Sequence, residues 1–318
     1  IKNKLIIGLF TIVLIAWGIY SLTRLPIDAV PDITDNQVMV ITVSPTLAAQ
    51  EVEQFVTYPV EQTMVSIPNI KNMRSFSRFG LSIVTIVFEE QVDLYWARQQ
   101  VQERLSQAAK SIPDGVGTPE MAPVTTGLGE IFQYAVLPKK GYEKRYDATK
   151  LREIQDWTIK RQLLGTPGVA EVSGFGGYLK EYQIAINPDK LKSFNISINE
   201  IFGALEKNNQ NTGGAYIDKN PNAYFIRTEG LIKNLDEIGK IVVKKNVGGL
   251  PVLIRDIAKV EYGSAVRYGA STRNAKGEIV SGIVMMLKGA NSSEVIKNVK
   301  EKITQIEKGL PEGVVIEP

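Results

Sequence analysis

Four residues that lead into one strand, Pro68, Ile70, Met73 and Phe76, recur 99 residues later as Pro167, Val169, Val172 and Phe175. A second pair of punctuation marks, Ile112-Pro113-Asp114-Gly115-Val116 and Leu310-Pro311-Glu312-Gly313-Val314, follows a helical pattern in each copy. Such self-similarity means that one supersecondary plan is used twice. In the first copy, residues 38–43 form a strand by β-branched content. Val52, Phe55, Val56 and Val60 then recur at helical spacing, and Pro59 is expected to kink that helix. Strands follow at 70–77 and 82–88, turning near Gly80. A helix begins at Asp93, with Leu94, Ala97, Val101, Leu105 and Ala108 on one face, and a sixth element lies at 121–124.

The order β-α-β-β-α-β is the split β-α-β, or ferredoxin-like, arrangement. In the second copy, a strand at 131–137 and a helix at 149–164 are followed by the stop signals Gly165 and Pro167. The remaining half of that copy resumes near residue 268, with a helix whose apolar face is Val295, Val299, Ile303, Ile306 and Leu310. Residues 177–267 are therefore an insertion large enough to be an α+β subdomain. Within it, Tyr182, Ile184 and Ile186 alternate as a half-buried strand. Ser197-x-x-Glu200 is a capping box, with Ile196 stapling onto Ile201, and Ile198, Ile201, Phe202 and Leu205 are expected to be the buried helix face. Residues 208–222, rich in Asn and Gly, are expected to protrude as a loop or hairpin arm, either a surface loop or an arm that reaches a neighbouring subunit.

Ahead of both copies, Leu5 to Leu22 run as 18 residues without a charge, with Lys2 and Lys4 before them and Arg24 after. That length meets the threshold for a membrane span, Trp17 and Tyr20 suit an interfacial belt, and the leading lysines favour a cytoplasmic N-terminus. A cleaved signal peptide fits less well, because the run exceeds the usual apolar stretch and Ser21-Leu22-Thr23-Arg24 has no small-x-small site. Residues 1–24 are thus expected to be a transmembrane helix in membrane lipid, and 25–36, with Pro26 and Pro31, an extended linker.

Chemistry is narrowed by what is missing. The 318 residues contain no Cys and no His, which removes disulfides, imidazole or thiolate metal sites and His-based acid–base catalysis. The net charge of +3, without basic runs, gives no footprint for nucleic acid. No phosphate-binding loop occurs. Gly174-Phe175-Gly176-Gly177 lacks the spacing of a dinucleotide fingerprint, and its glycines are expected to let a strand turn and pack closely. No enzyme activity and no cofactor are expected. Carboxylates remain as hard ligands: Glu130 enters the first strand of the second copy, while Glu171, Ser173 and Phe175 alternate on one face of the next. A pair of acids on adjoining strands offers a weak, open site that suits passing a divalent ion along; the alternative is that both are solvated strand residues. Among possible soft ligands, Met39, Met64, Met73, Met285 and Met286 sit in apolar periodic contexts and are expected in the core, while Met121 beside Pro119 and Pro123 is left open.

Several stretches carry a resemblance. Leu25-Pro26-Ile27-Asp28-Ala29-Val30-Pro31-Asp32-Ile33-Thr34, Asp93-x-Tyr95-Trp96-Ala97-Arg98, Thr126-Gly127-Leu128-Gly129-Glu130-Ile131, Leu151-Arg152-Glu153-Ile154-Gln155-Asp156-Trp157 and Arg255-Asp256-Ile257-Ala258-Lys259-Val260 are similar to the heavy-metal efflux branch of the resistance-nodulation-division transporters. The linker and the Gly-Leu-Gly-Glu stretch look closer to the cobalt-zinc-cadmium type than to the copper-silver type. The resemblance implies a first porter subdomain at 37–125, a second at 126–176 plus 268–318, and a docking subdomain at 177–267. It further implies a proton-driven homotrimer in the bacterial inner membrane, with residues beyond about 25 in the periplasm. Its partners would be a periplasmic adaptor (membrane fusion protein) and an outer-membrane channel, and its substrate a metal ion. On the same basis Glu130 and Glu171 become candidate metal ligands, and Ser173 and Phe175 candidate cleft residues. Family members are much longer and keep their proton-relay acids in later spans, so the chain by itself is not expected to pump. A membrane-anchored periplasmic binding or scaffold protein is the competing class.

Overall fold

The computed structural model describes residues 4–23, 34–127, 129–219, 221–228, 230–245, 250–267, 269–274 and 277–318. Most of the 25–36 linker, and Leu128, therefore lie outside the described residues. The chain mixes helix and strand. Helix α1, Lys4–Thr23, is long and apolar enough to cross a membrane, with mean hydropathy 2.3 over Leu5–Leu22 and its window entirely exposed within the protein. The rest divides into two compact units, one of residues 1–143, 154–175 and 280–318, the other of residues 144–153 and 176–279.

The first unit contains the first copy of the repeat and, apart from residues 148–153 and 278–279, the elements of the second. In the first copy, strand β1 (Gln37–Val43) is followed by helix α2, which runs through Ala49–Val52, Glu53–Thr57 and Tyr58–Met64. Strands β2 (Ile70–Arg78) and β3 (Leu81–Phe88), helix α3 (Leu94–Ser111) and strand β4 (Pro119–Met121) complete it. The sheet is antiparallel in the order β2-β3-β1-β4. Alternation along β1 sends Val38 and Val40 to the helix side, where they meet Val56, Val60, Val84, Ile86, Val101 and Leu105 in one buried cluster. Met39, Ile41 and Val43 point to the face that carries no helix. Asp93 caps α3 by accepting from the Trp96 amide at 2.8 Å, and Arg98 of the same motif donates to the Ala122 carbonyl at 2.8 Å, tying α3 to the end of β4.

The kink expected at Pro59 takes the form of a π-bulge. Over Glu53–Thr57 the ladder lengthens, the Tyr58 amide donating to the Glu53 carbonyl, so the donor that Pro59 lacks falls just beyond the bulge. The equivalent helix of the second copy, α4 (Ala148–Ile154, Gln155–Ile159 and Lys160–Leu163), has the same bulge without a proline. The bulge thus belongs to the shared plan rather than to Pro59.

In the second copy, β5 (Glu130–Pro138), β6 (Val169–Phe175), β7 (Glu278–Met286), helix α5 (Ser292–Glu307) and β8 (Val314–Glu317) make an antiparallel sheet. Here β7 lies between β5 and β6, and β8 on the far side of β5. Its helix-side residues, among them Phe132, Tyr134, Val136, Val172, Val280 and Val284, are buried together with Ile159, Leu163, Val295, Val299, Ile303 and Ile306.

In the second unit, strands Lys180–Ile186 and Ala258–Ser264 pair antiparallel, and Thr212–Lys219 with Asn222–Thr228 form the hairpin that the Asn- and Gly-rich stretch opens. Ser197 and Glu200 form the expected capping box. The helix they start, Ile198–Lys207, turns differently from expectation. Ile201 and Ala204 are buried and Leu205 packs beside them, whereas Ile198 and Phe202 are 53% and 65% exposed. The small Ala204 allows the helix to approach its core along the 201/204/205 stripe, which leaves 198 and 202, one turn apart, outside. At the strand turn, Gly176 and Gly177 have φ of +71° and +69°, and a side chain on Gly176 would overlap the Ile279 carbonyl oxygen.

Candidate metal-ion cleft

The helix-free face of the second sheet is set by register. Met285 on β7 pairs with Glu130 on β5 and with Glu171 on β6, so the three form one row, acid–thioether–acid. Residues opposite one another in antiparallel strands share a face. The next rows are Gln133–Ile283–Ser173 and Ala135–Ser281–Phe175. All four residues singled out from sequence therefore lie on this face, in three adjoining rows, with Phe175 48% exposed. Because β7 lies between their strands, the backbones of Glu130 and Glu171 are about 10 Å apart, two strand spacings. Two long carboxylate side chains can lean toward an ion held over Met285, but the backbones do not force them together.

Register shifts bracket the row, between Val284 and Met285 against β5 and between Met285 and Met286 against β6. Bulges of this kind re-aim side chains at functional edges of sheets. The shifts fall on β5 and β6, while β7 itself alternates without interruption there and so sends its two adjacent methionines to opposite faces. Met286 is buried at 7% exposure, whereas Met285 is half-buried on the open face and Met39 is half-buried on the open face of the first sheet. The expectation that both belong to the core is corrected here, because alternation along a strand, and not apolar context, decides the face. Met121 packs against the core of the first copy.

Glu171 also lines a cleft of about 450 Å³ within the first unit, whose other wall is the open face of the first sheet: Ile41, Val43, Thr118, Glu120 and Ala122. Glu120 was not legible in the sequence; it pairs with Ile41, and that register alone puts it on the open face. The Glu171 carboxylate is paired with Lys160 Nζ at 2.9 Å, both side chains about one-third exposed. Among the described residues there is no group of three or more Asp, Glu, His or Cys able to hold a metal ion. What the cleft offers is the carboxylates of Glu171 and Glu120 with the Met121 thioether at its wall, while Glu130 and Met285 are not among its lining residues. Such donors attract a divalent cation without trapping it. In the second unit a cleft of about 500 Å³ carries Asp147, Lys150, Glu153 and Lys180. Its charges balance, and Glu153 is taken up by Lys180 at 3.0 Å, which holds the Lys180 ammonium above its ordinary range.

A β-α sheet plan used twice, an apolar N-terminal helix long enough to cross a membrane and carboxylates on an open sheet face are the features that the chain brings to a comparison with known proteins. Over residues 1–318 the chain matches the AcrB/AcrD/AcrF family, and it belongs to that family. It is 40% identical, over 99% of its length and 30% of the relative, to the putative cation efflux system protein SilA of Salmonella typhimurium. It is 44% identical, over 94% of its length and 28% of the relative, to the cobalt-zinc-cadmium resistance protein CzcA of Cupriavidus metallidurans. An X-ray structure of a heavy metal efflux pump superposes with a TM-score of 0.87 at 34% identity, covering 100% of this chain and 31% of that one. The chain thus spans about a third or less of the length of the relatives it matches.

Proposed function

We propose that the chain forms part of a proton-driven permease that exports divalent cations of the zinc, cobalt and cadmium class. In this reading α1 is an inner-membrane helix with its N-terminus in the cytoplasm, and residues beyond about 25 are periplasmic. Residues 37–125, and 126–176 with 268–318, are two ferredoxin-like porter subdomains, and 177–267 is a docking subdomain. The strand order β2-β3-β1-β4 and its repetition support the ferredoxin-like assignment. The permease would act as a homotrimer, with a periplasmic adaptor and an outer-membrane channel as partners, and the hairpin at 212–228 would be an arm reaching a neighbouring copy.

The observation that carries the ion assignment is the row Glu130–Met285–Glu171. Its carboxylates would pass the ion, with Ser173 and Phe175 lining the way. The test is Glu130→Gln in the complete transporter, scored by resistance and intracellular accumulation across zinc, cobalt, cadmium, copper and silver. Lost zinc or cobalt resistance at unchanged expression supports the reading, and unchanged resistance returns Glu130 to a solvated strand residue. Glu130→Asp should be milder, since the oxygen donors remain. Copper or silver export is the second reading, favoured by the Met285 thioether between the acids. Loss of copper or silver resistance in Met285→Leu, with zinc resistance kept, would select it.

A further inference from the structure

We propose that Lys160 is a tethered counter-cation: its ammonium occupies Glu171 between ions and swings away when a divalent ion arrives, so that Lys160 sets how tightly the cleft holds its cargo. The inference rests on the ion-passing reading of Glu171 given above.

Three observations carry it. First, Lys160 Nζ lies 2.9 Å from Glu171 Oε1, and both side chains are about one-third exposed. The pair is direct enough to neutralise the carboxylate and wet enough to open, as partly exposed ion pairs are weak. Second, the backbone aims the ammonium there. The π-bulge Gln155–Ile159 ends at Lys160, whose amide donates to the Gln155 carbonyl. One extra residue in a helix turns all that follows by about 100°. The bulge thus decides which residue of α4 faces β6, and the sequence places a lysine there. Third, the repeat isolates the pair: 99 residues before Glu171 stands Asn72, so the first copy lacks the carboxylate and has no need of the cation.

The residue type also fits. A lysine is a flexible point charge that releases one contact at a time, whereas an arginine would clamp the carboxylate through two parallel bonds. Glu120 lines the same cleft as Glu171, so an ion that displaces Lys160 has a second carboxylate on the facing wall.

The test uses the 318-residue chain in detergent micelles, with Co(II) as the probe, followed by equilibrium dialysis and by the rate at which a chelator strips the ion. Lys160→Met is expected to bind Co(II) about tenfold more tightly than the wild type and to release it correspondingly slowly, since both the competitor and a nearby positive charge are gone. Lys160→Gln should show the same direction if the methionine variant folds poorly. The gain should vanish in Lys160→Met/Glu171→Gln, and Lys160→Arg should bind no more tightly than the wild type. If Glu171→Gln weakens binding while Lys160→Met and Lys160→Gln match the wild type, the counter-cation role is overturned and the ion-passing reading stands. If Glu171→Gln leaves Co(II) binding unchanged, Glu171 holds no ion and both readings fall.

Discussion

The Tyr134 hydroxyl donates to the Gln155 side-chain oxygen at 3.0 Å, and both side chains are sealed beneath the second sheet. Gln155 occupies the first position of the π-bulge in α4, so this bond ties the bulge to the strand that begins at Glu130. Gln155 Nε2 is buried and has no hydrogen-bond partner among the described residues, which makes Tyr134 the anchor of an otherwise unsatisfied amide.

Removing the hydroxyl alone should therefore be worse than removing both groups. Tyr134→Phe is expected to lower unfolding stability by about 1–3 kcal/mol, since it strands a buried acceptor. Tyr134→Phe/Gln155→Leu should recover much of that loss in urea denaturation. A double variant less stable than the single one would show that the pair is not the relevant link.

The same tyrosine gives an alkaline signature. Burial pushes the Tyr134 phenol well above its ordinary value of 10.0. The folded state thus holds this proton more firmly than the unfolded chain. The resulting stability is fully present below pH 10 and is lost as the pH rises from there toward the folded-state value. Wild type should lose stability more steeply above pH 10 than Tyr134→Phe, measured as melting temperature against pH; parallel curves would contradict this.

Gly282 on β7 lies opposite Tyr134 on β5, and a methyl group there would overlap the tyrosine ring. Gly282→Ala is expected to destabilise by about 1–3 kcal/mol through overpacking, read by chemical denaturation.

In the second unit, Ile201→Ala should lower stability by about 2–4 kcal/mol while Phe202→Ser changes it little, although both are apolar neighbours on one helix. Reversal of that order in urea titrations would mean that the helix face is assigned wrongly.

The capping box allows a further check by pH. The Ser197 amide and hydroxyl bonds, the amide first, hold the Glu200 carboxyl below its ordinary value of 4.5. Its contribution is present above that value and fades as pH falls through the lower, folded-state value. Amide hydrogen exchange in Ile198–Lys207 should accelerate on acidification in the wild type and be fast throughout in Ser197→Ala, where loss of the cap removes about 1 kcal/mol.

Much was legible before any fold was known, because local rules act on local spacing. The 18-residue apolar run, the Asp93 and Ser197 caps and the 99-residue repeat are all statements about residues near one another or about pattern identity. The alternation of Glu171, Ser173 and Phe175 followed from the two-residue period of a strand.

Register was not legible. That Met285 pairs with both acids, that Glu120 joins Glu171 in one cleft, and that Lys160 reaches Glu171 depend on which strands are neighbours, on two register shifts and on one extra residue in a helix. In the two repeat copies the type and order of elements follow from local spacing, since backbone propensity and hydrophobic period are local quantities, whereas within 177–267 that spacing marked only the strand at 182–186, the Ser197 helix and the Asn- and Gly-rich stretch. Tertiary structure alone decided which acids share a face and which cation answers them. A one-residue shift in pairing or helix phase leaves the local pattern almost unchanged yet redirects every side chain beyond it.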